Sequence, residues 1–151
     1  MSNTCAVFVD PSTMSLSATG LIHGVITFRI GDYWFPGKAW DDFPVVVASW
    51  WLEKLLKKSR GTRDLFFMDG PLWLVIQHQT SQRLQAYCME GSYFSPKIRH
   101  SCLVDRRELC IEVLRAAEIL LAACVQREWN TSDVLSLAED ITRAKRSRRF
   151  R

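Results

Sequence analysis

The stretch KIRHSCLVDRRELCIEVLRAAEILLAACVQRE, residues 97–128, contains the change of hydrophobic period that decides the fold class. Residues 97–104 read either as a last strand or as an extended lead-in to a helix. From Asp105 onward, apolar residues recur at helical spacing, and Asp105 and Glu108 stand at the spacing of a capping box. The stretch therefore predicts a helix over 106–128.

The residues before this stretch alternate in the manner of antiparallel strands. Residues 21–30 place isoleucine and phenylalanine on one face and polar residues such as His23 and Thr27 on the other. Loops are predicted at 10–19 and 91–96 because these segments are rich in turn-forming residues. Further strands are predicted at 5–9, 33–35, 64–68, 72–78 and 83–90.

Two more helices complete the predicted architecture. Asp42 reads as the N-cap of a helix over about 42–59, with Pro44 in its first turn and Gly61 as its stop signal. After a break at 129–132, a last helix turns its apolar residues inward; these are Val134, Leu137, Ala138 and Ile141. The predicted fold is α+β, an antiparallel sheet meander packed by about three helices, two of them C-terminal.

The charge of the 151-residue chain is concentrated at one end, although the formal net charge is only +4. Residues 1–142 hold 14 basic and 16 acidic residues, a net charge of −2, whereas residues 143–151 hold six basic residues and no acidic ones. We therefore predict one α+β domain at 1–142 and a basic C-terminal tail at 143–151. The tail reads as a solvated helix end, whose cations suit the helix dipole. In the alternative interpretation, Arg143–Arg151 is an arm that contacts nucleic acid.

The composition is that of a soluble globular protein, with 48% hydrophobic and 24% charged residues. No apolar run reaches the ~18 residues that a membrane-spanning helix needs. The first ten residues lack the basic start and long apolar stretch of a secretory signal. We expect a cytoplasmic protein with no membrane partner.

The five cysteines and three histidines show no pattern of a metal or catalytic site. An odd cysteine count argues against a disulfide framework, and neither a Cys-x-x-Cys pair nor a His-Glu-x-x-His motif occurs. Glycine-rich phosphate loops and the G-x-S-x-G elbow are also absent. His100 and Cys102 would share a strand face, so a small enzyme using these two with His78 is a third interpretation. We expect no catalytic, cofactor-binding or metal-binding residues.

Aromatic residues are the unusual feature of the N-terminal half. Five of the six tryptophans lie within 40 residues; these are Trp34, Trp40, Trp50, Trp51 and Trp73. Most are expected in the core. Trp50 and Trp51 are adjacent on a helix, so one of them can face solvent and serve as an anchor for a partner.

The run ITFRIGDYWFPGKAWDDFPVVVASWWL, residues 26–52, resembles small bacterial immunity proteins of polymorphic toxin systems, including contact-dependent and type VI secreted toxins. In those proteins a strand ending in an aromatic-proline turn is followed by W-x-D-F, here Trp40–Phe43, and by a helix with paired tryptophans. The resemblance covers 27 residues of the N-terminal half.

The resemblance implies a non-catalytic protein–protein interaction. A cognate toxin domain would be bound stoichiometrically and its active site occluded or distorted, and charge complementarity would speed the encounter. Inhibitors of nuclease toxins are commonly acidic, whereas residues 1–142 carry only −2 and the tail is basic. Either the toxin is acidic, or a locally acidic face near Asp69, Glu90 and Asp105 binds it together with exposed rings. The candidate partner-binding residues are Tyr33, Trp34, Asp69, Glu90 and Tyr93.

Overall fold

A computed structural model of the protein describes residues 3–58, 61–92 and 94–151. Within these ranges the chain forms three α-helices and two antiparallel four-stranded sheets, which confirms the α+β class and the two C-terminal helices. None of the helices in this part of the chain combines the length and apolar character needed to cross a membrane. The strands are β1 (Cys5–Leu16), β2 (Ile22–Ile30), β3 (Tyr33–Phe35), β4 (Asp41–Asp42), β5 (Thr62–Phe66), β6 (Leu72–His78), β7 (Arg83–Ser92) and β8 (Ser95–Asp105). The helices are α1 (Pro44–Leu56), α2 (Arg106–Gln126) and α3 (Ser132–Arg146).

The strands are divided between two sheets that share one hydrophobic core with the helices. In the first sheet β2 is central. Strand β1 pairs along one side of β2, and β3 and β4 pair with separate parts of its other side. The second sheet follows chain order, β5-β6-β7-β8. An isolated parallel bridge between Asn3 and Val104 brings the N-terminal end of the chain beside β8.

Large aromatic rings join the two sheets to α1. Phe28 of β2 stacks on Trp51 of α1, with ring centroids 4.4 Å apart and an interplanar angle of 18°. Phe67, which follows β5, meets both rings edge-on at 5.8 and 5.2 Å. The apolar face predicted for 21–30 is therefore buried against a helix, but Thr27, which was predicted on the polar face, is fully buried as well. Such aromatic pairs contribute about 0.5–1.5 kcal/mol each beyond their buried area.

The outer edge of β1 is closed by side chains of α2. The backbone N–H groups of Cys5 and Val7 donate to the Oε1 atoms of Glu108 and Glu112, each at 3.2 Å. Arg115 binds the same Glu112 carboxylate at 2.7 Å and donates to the Val7 carbonyl at 3.1 Å. The unpaired backbone groups of an edge strand are thus satisfied without another strand.

The prediction of a strand at 5–9 followed by a loop at 10–19 is wrong at the loop. Strand β1 continues to Leu16, with an irregularity between Asp10 and Ser15. Thr13 fills this gap, because its Oγ1 accepts a hydrogen bond of 2.9 Å from the Val25 backbone N–H. Thr13 therefore stabilises an irregularity within a continuous strand, and this part of the segment is not a solvent-exposed loop.

The predicted start of the first helix at Asp42 is also wrong. Asp41–Asp42 pairs with β2 as the short strand β4, and α1 begins at Pro44 with no side-chain cap. The fully buried Asp42 carboxylate accepts hydrogen bonds from four groups. These are the backbone N–H groups of Phe43, Met68 and Asp69 and the indole N–H of Trp40. Asp42 therefore fixes the turn after β5 instead of a helix end.

The prediction that residues 143–151 form a solvated helix end needs correction. Helix α3 continues to Arg146, and a short 3-10 helix follows over Arg148–Phe150. Ala144 and Phe150 are buried in the core. Arg149 donates to the backbone carbonyls of Leu55 and Lys57 at the end of α1. The basic end of the chain is consequently packed against the domain predicted at 1–142.

Candidate functional site

We name the far end of strands β7 and β8, residues 90–92 and 94–100, the hairpin arm. Only its tip extends beyond the second sheet, because Lys97 and Ile98 still lie opposite β7 residues that pair with β6. The last residue of β7 that pairs with β6 is Glu90, opposite Leu72. Beyond it β7 pairs only with β8, and the pairing continues to Ser92 opposite Ser95. The predicted loop at 91–96 is therefore wrong, because most of this segment belongs to the hairpin.

The side chains of the hairpin arm are largely exposed to solvent. Phe94 is 98% exposed and Ile98 is 55% exposed. Their neighbours Ser95, Pro96, Lys97 and Arg99 are exposed as well. Phe94 at the tip of the arm is the most exposed large apolar side chain in the described part of the chain, and Ile98 follows nearer the sheet. Exposed apolar side chains that lie close together can mark a binding site.

A bulge sets the base of the hairpin arm. Cys88 pairs with His100 but the next residue, Met89, pairs with Ile98, so Arg99 is the extra residue of β8. The Arg99 guanidinium lies 5.8 Å from the centroid of the Phe35 ring and its Nε lies 3.6 Å from Oε2 of Glu90. Bulges commonly redirect one side chain in this way, and here the redirected arginine links both sheets.

Two of the predicted partner-binding residues, Tyr33 and Glu90, lie at this base. The Tyr33 ring stacks on His100, with centroids 4.3 Å apart and an interplanar angle of 18°. Glu90 is the acidic partner of Arg99 in the ion pair described above. Both residues are therefore in contact with the first part of β8.

Trp34 lies beside this base but on the other face of β3, because side chains alternate along a strand. Its ring meets Phe8 edge-on at 5.9 Å, and the Arg29 guanidinium lies 5.4 Å from its centroid. Phe8 and Arg29 are exposed and Trp34 is half-buried. This small aromatic and cationic cluster is a second accessible surface, on a face of the first sheet across β1, β2 and β3.

Asp69 occupies the turn between β5 and β6, next to the arm. The Gly91 N–H donates to the Pro71 carbonyl at 2.9 Å, which places this turn beside β7. The Asp69 side chain is exposed, while its backbone N–H donates to Asp42 at 3.1 Å. Tyr93 lies outside the described residues.

The sequence interpretation missed Phe94 and Ile98, which are the most exposed large apolar residues of the arm. The signal was the adjacent aromatic pair at 93–94 inside a segment assigned to a loop. A two-residue connection between paired strands would have placed Phe94 at a hairpin tip.

The cysteines are buried and do not have the properties of nucleophiles. Burial raises the pKa of Cys88 to about 12 and that of Cys110 to about 11. Burial also raises the pKa of Cys102, the partner of His100 in the thiol–imidazole hypothesis. Activated thiols need a lowered pKa, so the structure gives this hypothesis no support. Among the described residues, no group of three histidine, cysteine or acidic side chains is arranged to hold a metal ion.

The paired tryptophans have different environments. Trp51 is fully buried, and its indole N–H donates to the Phe66 carbonyl at 2.8 Å. Trp50 is 38% exposed at an open groove of about 450 Å³ between α1 and the end of β5. The groove is lined by Trp50, Lys54, Asp64, Phe66, Phe67 and Met68. Trp50 is thus the exposed ring of the pair.

Comparisons with models of protein families, with curated proteins and with solved structures find no match for this chain.

Proposed function

We propose that the protein is a bacterial immunity protein, which binds and neutralises a cognate secreted toxin domain in the cytoplasm by stoichiometric occlusion. The observation that carries the proposal is the hairpin arm with its exposed Phe94 and Ile98. No chemical step is required of the immunity protein, because the bound arm blocks or distorts the active site of the toxin.

The surroundings of the arm support a role in protein recognition. Aromatic and arginine side chains dominate binding hot spots, and Tyr33, Trp34 and Arg99 lie at its base. The ion pair between Glu90 and Arg99 is half-exposed, so either charge is accessible to a partner. The resemblance of residues 26–52 to immunity proteins is independent of the arm and points to the same class of partner.

The test is co-expression with the toxin domain encoded beside the gene for this protein. We expect restored growth and co-purification in a fixed ratio. The double variant Phe94→Ala/Ile98→Ala should weaken binding by about 2 kcal/mol or more, since truncating a hot-spot ring costs that much.

The matched control is Leu135→Ala, which removes another large exposed apolar side chain, on α3. This variant should protect as well as the unmodified protein. Full protection by the arm variant, or loss of protection in the Leu135 control alone, would show that the arm is not the binding surface.

A further inference from the structure

Three arginines from distant parts of the chain meet in one small cleft. Arg63 comes from β5, Arg106 is the first residue of α2, and Arg149 lies in the C-terminal 3-10 helix. We name this site the arginine cleft. Its remaining lining consists of Leu55, Ile76, Leu84 and Cys110.

The backbone around α1 holds two of these guanidinium groups in place. Arg63 Nη1 donates to the Lys54 carbonyl at 3.1 Å. Arg149 Nη1 donates to the carbonyls of Leu55 and Lys57. A guanidinium carries five N–H donors, so bonds made through Nη1 leave other donors of Arg149 for a ligand. Both side chains are therefore preorganised by the end of a helix.

The cleft has a strong excess of positive charge. Within the described part of the chain, no carboxylate forms a salt bridge with Arg106 or Arg149. Burial and the neighbouring guanidiniums of Arg149 and Arg106 lower the pKa of Arg63. The nearby Asp105 is engaged by the Glu108 backbone N–H at 2.8 Å.

Further basic residues are close to the cleft along the chain. Lys57 and Lys58 follow the end of α1, and Arg83 is opposite Asp105 in the β7–β8 register, one residue before Arg106. Arg148 and Arg151 flank Arg149. Arg149, which the sequence places in a separate tail, is thus combined with Arg63 and Arg106 of the domain in one folded cleft. Basic residues gathered on a folded surface are typical of polyanion binding.

We propose that the arginine cleft binds a phosphate group, carried either by a nucleic-acid strand or by a small phosphate compound. The three guanidiniums supply positive charge, and Arg106 and Arg149 supply N–H donors, to the several oxygens of a phosphate. The enclosed space is about 10 Å³, the room of one water molecule. One phosphate oxygen therefore enters the cleft while the rest of the group lies across its mouth.

The proposal is independent of toxin inhibition and is tested without the toxin. The probes are inorganic phosphate, a short fluorescein-labelled single-stranded RNA and polyglutamate, each at constant ionic strength. Phosphate should raise the melting temperature of the protein. Arg106→Gln should abolish this shift and weaken RNA binding about tenfold or more, as expected for loss of a charge-assisted hydrogen bond.

The matched control is Arg107→Gln, because Arg107 is adjacent in sequence but exposed and outside the cleft. It should keep the phosphate response of the unmodified protein. Binding of RNA assigns the phosphate to a nucleic-acid strand, and a response to phosphate without RNA binding assigns it to a small compound; both support the proposal. Equal effects of the two substitutions, binding of polyglutamate alone, or no response to any probe would overturn it.

Discussion

Along the β1 edge, the backbone N–H groups of Cys5 and Val7 are bound by glutamates of α2, whereas Phe94 and Ile98 of the hairpin arm extend into solvent. Both regions are edges of a sheet, where unpaired backbone groups invite another chain. At β1 the backbone partners are supplied within the chain. At the arm the exposed apolar side chains remain available to a partner.

The difference suggests that the β1 edge contributes to stability and that the hairpin arm contributes to binding. Contacts at the β1 edge join α2 to the first sheet and should therefore contribute to the free energy of unfolding. The tip of the arm contacts little of the core and should contribute almost nothing to stability. Substitutions in the two regions test this division directly.

The largest effect is expected at the β1 edge. Glu108→Ala/Glu112→Ala leaves the Cys5 and Val7 N–H groups without acceptors and separates Arg115 from its carboxylate. The unfolding free energy should fall by about 2–4 kcal/mol, since each charge-assisted hydrogen bond contributes about 1.5–3 kcal/mol. Urea denaturation measures the change.

The control for this variant removes two other helical glutamates. Glu118 pairs with Lys145 at 3.3 Å, but both side chains are about half-exposed. Glu139 is exposed on α3. Glu118→Ala/Glu139→Ala should cost less than about 1 kcal/mol. Equal losses in both double variants would mean that helix charge in general, and not closure of the β1 edge, provides the stability.

A smaller effect is expected from pH. Hydrogen bonds from Arg115 lower the pKa of Glu112 below its ordinary value of 4.5. A carboxyl whose pKa is lowered by folding stabilises the protein above its ordinary pKa, and this contribution is lost as the pH falls through the lowered value. Stability measured from neutral to acid pH should therefore decline more steeply in the unmodified protein than in Glu112→Gln. Parallel curves would contradict a role for the ionised carboxylate.

The smallest effect on stability is expected at the arm. Phe94→Ala should change the unfolding free energy by no more than about 0.5 kcal/mol, as for other surface substitutions. Thermal unfolding measures this change. The affinity of the same Phe94→Ala protein for its partner should fall much more than its stability does. A destabilisation comparable with that at the β1 edge would show that the arm is part of the folded core.

The helix at 106–128 and the strand at 21–30 were predictable because their patterns are local. Apolar residues at helical spacing after Asp105 require only neighbouring positions to be compared, and α2 indeed begins at Arg106. Asp42 reads as a cap for the same reason, since nothing local reveals that its carboxylate binds Met68 and Asp69, more than 20 residues away.

The candidate surfaces were less predictable because they depend on which elements meet. Tyr33 reaches His100 only through the placement of β3 beside β8. The arginine cleft joins residues 63, 106 and 149, which have no common pattern in the sequence. The segment 91–96 has the composition of a loop. Its ends nevertheless pair with each other, because β7 and β8 continue past the end of β6.

The five buried cysteines allow local unfolding of the protein to be followed by the rate at which each thiol is alkylated. Alkylation requires a thiolate, while burial both shields these thiols and raises the pKa of Cys5, Cys88 and Cys110. Labelling at neutral pH therefore proceeds through transiently open molecules, and its rate measures the free energy of opening around each sulfur atom. Cys5 should report separation of β1 from α2, while Cys88 reports the second sheet. Mass spectrometry of partly labelled chains would then show in which order the layers come apart.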